Sequence, residues 1–304
     1  LEISIVIVNW NTKTLLLDCL ASVFETTTEI AFEVWLVDNG SDDGSVEAVR
    51  TQYPLVKIVE NHRNLGFAAA NNQAFRLMKG RYALLLNTDT VLTAGAVKAL
   101  FDFMEANPDT AMACGQLLNE DGSKQNSTAN FPTLLSLLSN ETLLRILFPN
   151  KFPGKLKDCS APVEVDSCIG ACLMVRQEAM ENVGLFDERY FFFFEETDWA
   201  YRMRLAGWKI YFLPFSRIFH LQGQSVGEKV DSRIMFYRSR YIYFKKWHPN
   251  FYPILLVVVH CRLLVNTILT LLGTLLTLGL KSDIRRKCKI YVQLISWHLR
   301  GCPE

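Results

Sequence analysis

The sequence has no excess of charge of either sign: 32 Lys and Arg face 31 Asp and Glu, for a formal net charge of +1. A chain this balanced has no global field to draw it onto nucleic acid, so no nucleic-acid partner is expected and any basic surface must be local. A regular cysteine framework is also missing. Cys168 and Cys172 are spaced one residue wider than the pair of a common zinc knuckle, and the cysteines are expected to be reduced thiols. No basic, then apolar, then small-residue leader opens the chain, because Leu1–Val8 already reads as a strand; a cytoplasmic setting is the expectation. Hydrophobic residues, at 50% of 304, are plentiful enough for a substantial core and against disorder.

Three short apolar runs, Ile3–Val8, Phe32–Val37 and Tyr82–Leu86, each end in a cluster of Asn, Asp, Gly or Thr. Runs apolar throughout predict strands buried on both faces. Between them lie helical spacings, Leu15, Leu16, Cys19, Leu20 and Val23 in one and Ala70, Ala74, Leu77 and Met78 in another. Alternating strands and helices predict a mostly parallel sheet, in which ligands bind at the carboxyl ends of the strands. Those ends are where the polar residues fall: Asn9 and Asn11, Asp38–Asp43, and Asn87–Thr90. Residues from about Asp121 to Pro162 read as an irregular insertion. Regular patterning resumes over Val163–Val175 and Phe186–Phe194, then as a helix from about Glu195 to Ala206 closed by Gly207, and a strand over Ile210–Leu213.

Several residues have the chemistry of a site. Asn87 and Asp89 are two apart at a strand end, so both side chains are expected to point the same way and have the oxygens to share a hard cation such as Mg2+ or Mn2+; taken by itself Asn-Thr-Asp reads first as an ordinary turn. His220, in the strand-like piece Ile218–Leu221, is the residue that could add a nitrogen ligand. Glu195, Glu196 and Asp198 open a helix, where acidic residues are favoured by the dipole regardless of function. Asp198 and Arg202 are four apart in the order of a structural ion pair, with Glu195 on the same face. Glu196 is turned away from that pair and is the better general base. Asp38 is either a turn and capping residue or a carboxylate for the imide N–H of uracil or thymine. Asn64, Gly66, Phe67, Asn71 and Asn72 lead into a helix whose N-terminus could face a phosphate.

Taken together, the stretches IVIVNWN, WLVDNGSDDGS, ENHRNLGFAAANNQA, LLLNTDT, IGACLMVRQEAMENVGLFDERYFFFFEETDWAYRMRLAGW and FHLQGQS, between Ile5 and Ser225, resemble the family-2 inverting glycosyltransferases. The rhamnosyltransferase-like and galactofuranosyltransferase-like members are the nearest in kind. The resemblance implies an α/β protein of GT-A fold: a Rossmann-like, mostly parallel central sheet flanked by helices, with a C-terminal helical apolar extension. It implies that Asp38 contacts the base of a nucleoside-diphosphate-sugar, with Asn9 and Asn64 nearby and Gly66, Asn72 and Thr88 on the same side. Asn87 and Asp89 take the place of an Asp-x-Asp metal motif for Mn2+ or Mg2+, His220 that of the third ligand, and Glu196 that of the catalytic base, with Glu195 the alternative. Two departures are visible: Asn87 offers a neutral oxygen where many relatives have a carboxylate, and Glu196 is one methylene longer than the more frequent aspartate. The implied reaction is a single displacement, with dTDP-rhamnose the first expectation for the donor and a UDP-sugar the second. The acceptor implied is a hydroxyl of a glycan or lipid-linked glycan.

A nucleotidyltransferase usually opens with a Gly-rich loop, and the first turn here, VNWN, has none. A non-catalytic nucleotide-sugar sensor or scaffold subunit is the other reading, suggested by Asn87 and Glu196. Two parts are expected: a glycosyltransferase domain over 1–225 and a basic, aromatic and then apolar helical region over 226–304. Within the latter, the uncharged run Leu263–Leu280 would extend about 27 Å as a helix, just short of the roughly 30 Å hydrocarbon core. Basic residues flank it on both sides, from Lys245 and Lys246 to Lys281 and Arg285–Lys289. The reading is helices lying in or dipping into the inner leaflet of the cytoplasmic membrane, or packing in a homodimer.

Overall fold

The computed structural model describes residues 1–133, 159–221 and 230–302. The chain divides into two compact units, 1–131 with 149–225, and 132–148 with 226–304.

The first unit alternates strands and helices as the apolar runs predict. They are β1 (Ile3–Asn9), α1 (Lys13–Thr26), β2 (Phe32–Asp38), α2 (Ser45–Gln52), β3 (Lys57–Glu60), α3 (Phe67–Phe75) and β4 (Tyr82–Asn87). The order β3-β2-β1-β4 is parallel throughout. Along β1, Ile3, Ile5 and Ile7 face one apolar layer with Leu16, Leu20 and Val23 of α1, while Val6 faces the other with Ala68, Ala70 and Ala74 of α3. That two-residue period on a strand covered on both sides is why the runs are apolar throughout.

Beyond β4 the sheet, mostly parallel as expected, takes in antiparallel strands. β10 (Cys172–Arg176) lies between β4 and β6 (Thr110–Leu118) and is antiparallel to both. β11 (Lys209–His220) runs parallel to β6, and β5 (Thr90–Leu92) pairs antiparallel with the end of β11. β5 and β6, and α4 (Ala96–Ala106) between them, were not read from the sequence. The short strands β7 (Thr128–Ala129), β8 (Val163–Glu164) and β9 (Ser167–Cys168) complete the set. The eight cysteines are free thiols, as expected for Cys168 and Cys172.

Two expected strands, Ile210–Leu213 and Ile218–Leu221, are one 12-residue strand. Pro214 has no N–H to pair, so the register slips between Leu213 and Arg217 and resumes at Arg217 opposite Gln116. Gly115 lies beside this bulge, where a Cβ would come within 2.4 Å of the Ser216 carbonyl. Phe186–Phe194, expected as a regular element, is a series of bends. Phe193 and Phe194 sit at φ 70° and 71°, and Phe194 caps the helix that follows. That helix is α6 (Glu195–Leu205), preceded in the chain by α5 (Gln177–Val183). α6 ends as the sequence predicts: Gly207 is at φ +88° and Trp208 N–H bonds back to the Met203 carbonyl.

The second unit is helical over its described residues: α7 (Val230–Trp247), a single 3-10 turn at Pro249–Phe251, α8 (Tyr252–Leu276) and α9 (Ser282–Leu299). α8 buries Leu255, Val259, Leu263 and Thr267, one row at four-residue spacing. Its other faces leave Val257, Leu264, Val265, Leu269, Leu272 and Leu275 more than half exposed.

Candidate active site

Parallel register puts the ends of three strands side by side, Asn9 opposite Asp38 and Val8 opposite Asn87. On the β1–β2 side the polar groups form a closed network. Asn9 donates to Asp38 Oδ1 at 2.8 Å and to Ser41 Oγ at 3.0 Å. Asp38 Oδ2 accepts the backbone N–H groups of Gly40 and Ser41. The Thr12 hydroxyl lies between Asn9 Oδ1 and Thr88 Oγ1, at 2.8 and 2.9 Å. Asn39, which the candidate set omitted, binds Asn64, Gly66 and Asn61 and is buried. Asn64 Oδ1 in turn accepts the Gly66 N–H at 2.9 Å. Gly66 is irreplaceable by size as well as by its φ of +86°, since a Cβ there would meet the Phe191 carbonyl at 2.5 Å.

Two expectations on this side change. The first N–H of α3, expected to face a phosphate, donates to the Phe191 carbonyl at 2.7 Å. Asn72, expected among the nucleotide-sugar contacts, is 1% exposed and fully used inside the protein. Its amide donates to the Phe186 carbonyl and Glu188, and its oxygen accepts the Phe186 N–H. Asn72 therefore fastens the segment leading to α6.

Asp89 is not on an extended strand with Asn87; it lies in the turn that carries the chain from β4 to β5. The turn leads across the sheet so that Thr90 pairs with His220, and Leu221 N–H bonds the Asp89 carbonyl at 2.8 Å. Long-range pairing, and not strand alternation, thus brings His220 to Asp89. His220 Nε2 is 3.4 Å from Asp89 Oδ1, and both residues are buried.

Gln125, which sequence reasoning left in the irregular insertion, fixes the imidazole. Its Nε2 donates to the His220 carbonyl at 2.6 Å and to Asn119 Oδ1 at 2.7 Å, so its Oε1 must be the atom 2.9 Å from His220 Nδ1. In its neutral form the ring carries its proton on Nδ1 and aims the Nε2 lone pair at the Asp89 carboxylate. Donors held about 2.0–2.2 Å from one ion sit roughly 3–3.5 Å apart when adjacent in its coordination shell, so the pair fits a divalent cation. Asn87 is half-buried at the start of the same turn. Among the described residues no group of three or more His, Cys, Asp and Glu could hold a metal, so such an ion would draw its further ligands from Asn87, substrate or water.

The loop before β10 ties this end of the sheet to α6. Asn87 N–H bonds the Ala171 carbonyl at 2.9 Å, and the neighbouring Gly170 N–H bonds the Glu196 carboxyl. Glu195 is 3% exposed, Glu196 is half-buried, and Oε2 of each is buried with no hydrogen-bond partner among the described residues. Burial, then the adjacent Glu196 charge, pushes the Glu195 carboxyl well above its ordinary range. Burial also raises Glu196, opposed by its own N–H and that of Gly170. The Glu195 carboxyl is likewise opposed by its own N–H, so Glu196 has one donor more, that of Gly170, to favour an ionised carboxylate. Asp198 does form the expected ion pair: Arg202 Nε is 3.0 Å from Oδ2, Tyr190 donates to Oδ1, and the same guanidinium ties down the carbonyls of Val183 and Leu185.

A model of glycosyl transferase family 2 matches residues 4–184. The chain is 30% identical over 243 residues to the N-acetylglucosaminyl-diphospho-decaprenol L-rhamnosyltransferase of Mycobacterium tuberculosis, covering 74% of this chain and 78% of that protein. It is 24% identical over 209 residues to the low-salt glycan biosynthesis hexosyltransferase of Haloferax volcanii, covering 67% of this chain and 62% of that protein. In fold it is similar to the mannosyltransferase of Pyrobaculum calidifontis in complex with GDP-Man and Mn2+, with a TM-score of 0.56 and 18% identity, covering 98% and 86% of the two chains. It is also similar to GalNAc-T7 with UDP, GalNAc and Mn2+, with a TM-score of 0.55 and 19% identity, covering 81% of this chain and 50% of that one.

Proposed function

Because the chain belongs to glycosyl transferase family 2 and is a glycosyltransferase, we propose that it transfers rhamnose from dTDP-rhamnose to a hydroxyl of a lipid-linked glycan, by metal-dependent single displacement. A UDP-sugar is the second choice of donor. The observation that carries the reading is the juxtaposition, through the 170–171 loop, of a facing His220–Asp89 pair and a buried glutamate pair on α6.

In this mechanism Asp89 and His220, with Asn87, would hold Mn2+ or Mg2+. When bound, the ion neutralises charge on the departing diphosphate. Asp38, held by Asn9 and the turn N–H groups, presents a rigid edge to the base, with Asn64, Gly66 and Thr88 framing the same side. Glu196 accepts the proton of the acceptor hydroxyl as that oxygen attacks the anomeric carbon. The bond from that carbon to the diphosphate oxygen breaks, and the configuration inverts. Asp198 keeps Arg202, and with it the 183–185 turn, in place behind the base.

A lipid-linked acceptor is supported by the name of the mycobacterial relative, which acts on a decaprenol-linked sugar. A setting at the cytoplasmic face of a membrane is supported by the segment Pro249–Leu276, whose most apolar stretch has a mean hydropathy of 2.1 and is only 22% buried. The discriminating experiment is a thermal-shift screen with Mn2+ against nucleotide sugars, since a bound ligand stabilises by mass action. The largest shift is expected with dTDP-rhamnose; a larger one with a UDP-sugar would replace the donor.

A further inference from the structure

The helices of the second unit enclose a basic and aromatic cluster that the transfer reaction does not use. The Arg240 guanidinium of α7 lies over the Phe236 ring at 4.6 Å and the Tyr237 ring at 5.8 Å. Tyr237 and Tyr241 pack edge-on against His298 of α9, and the Tyr241 hydroxyl is 2.6 Å from His298 Nε2. Among the described residues no carboxylate pairs with Arg240, and its Nε is buried without a hydrogen-bond partner. Burial pushes its guanidinium below the ordinary range, and the neighbouring Arg262 charge pushes the same way, against Tyr237 and Tyr241. Asp231 and Asp283 are the sole acidic residues among the described residues 230–302.

Stacking on two rings accounts for the face of this guanidinium. It does not account for the edge, where the N–H groups point, and a planar fork of N–H donors with no counter-charge among the described residues matches phosphate geometry. The second guanidinium adds the direction from which the anion comes. Arg262 is on α8, where it shares a helix face with Val265 and Leu269, three and seven residues on and 53% and 60% exposed. A soluble phosphate has no use for an apolar stripe beside its cationic partner. A lipid, with a charged headgroup above an apolar chain, needs both.

We propose that Arg240, with Arg262 beside it, forms a binding site for the phosphate-bearing headgroup of a membrane lipid. This deepens the membrane setting proposed above and is independent of the chemistry of transfer. The experiment is co-sedimentation of the full chain with phosphatidylcholine vesicles, with and without phosphatidic acid, alongside thermal shifts with inorganic pyrophosphate. Wild-type protein is expected to pellet with the phosphatidic acid vesicles, Arg262→Gln about five-fold more weakly, the loss typical of one charge at an anionic surface. Arg240→Gln should lose at least as much. Arg240→Lys, which keeps the charge and loses the fork, should also bind more weakly than wild type, and it keeps the test open should the Gln variant fold poorly. Wild-type binding with an unaffected Arg240→Lys and Arg240→Gln overturns the headgroup site and leaves the membrane setting intact. Failure of wild type to bind either vesicle overturns both. A pyrophosphate shift abolished by Arg240→Gln, with vesicle binding unchanged, assigns the site to a soluble anion and overturns the lipid.

Discussion

The two sides of the candidate site are built on opposite principles. On the β1–β2 side donors and acceptors are matched: Asn9, Thr12, Asp38, Asn39 and Asn64 bind one another and the turn backbone. On the side of β4, β11 and α6, titratable groups lie against one another, with His220 Nε2 aimed at Asp89 and the Glu195 and Glu196 carboxyls adjacent in a buried place. A matched network is stable as it is and fixes shape. Buried titratable groups held together are costly to ionise and respond to protons or cations, so this is where chemistry is expected.

The largest effect that sharpens the contrast is on turnover. Glu196→Gln keeps size and removes the proton acceptor, so nucleoside diphosphate release should fall about 10²- to 10⁴-fold with donor binding by calorimetry nearly unchanged. If Glu195→Gln abolishes turnover and Glu196→Gln does not, the base is one residue earlier.

Next comes the orientation of the imidazole. Gln125→Leu removes the acceptor at His220 Nδ1, and Mn2+ affinity should weaken about 10- to 100-fold. Nitrogen NMR of the ring should show the Nδ1–H form in wild type and its loss in the variant. Unchanged spectra would detach Gln125 from the ligand.

Smaller effects concern stability. Asp198→Asn should cost about 2 kcal/mol in denaturant unfolding, with turnover reduced far less than by Glu196→Gln. Glu195 should behave in the opposite sense. Its carboxyl is raised in the folded state. The stability its protonated form contributes is therefore full below the unfolded value and is lost as pH rises through the folded one. Glu195→Gln should then raise the melting temperature at neutral pH, because the amide has no proton to lose in the buried place. A melting temperature that falls would break the reading of a strained carboxylate pair.

The matched side was also the more legible one. Ile3–Asn9, Phe32–Asp38 and Tyr82–Asn87 are local patterns, and parallel register places their polar ends together without further information. The charged side depends on contacts between distant residues. His220 reaches Asp89 through the pairing of β11 with β5, and Gln125 reaches His220 from a stretch with no periodicity. Local spacing suggested that Asn87 and Asp89 share a strand face; the turn between β4 and β5 rules that out. Asn72 looked like a ligand because it is polar and near a helix start, and only its burial against Phe186 and Glu188 reveals its role. Asp198 and Arg202 were readable because a helix sets their spacing by itself.

The mechanism proposed above requires a divalent cation held between His220 and Asp89. Titration of Mn2+ followed by electron paramagnetic resonance, on wild type, Asp89→Ala and His220→Ala, tests it without needing the donor or acceptor. The account predicts bound Mn2+ in wild type and its loss in both variants. Equal Mn2+ binding by all three proteins, together with full turnover in excess chelator, would contradict it.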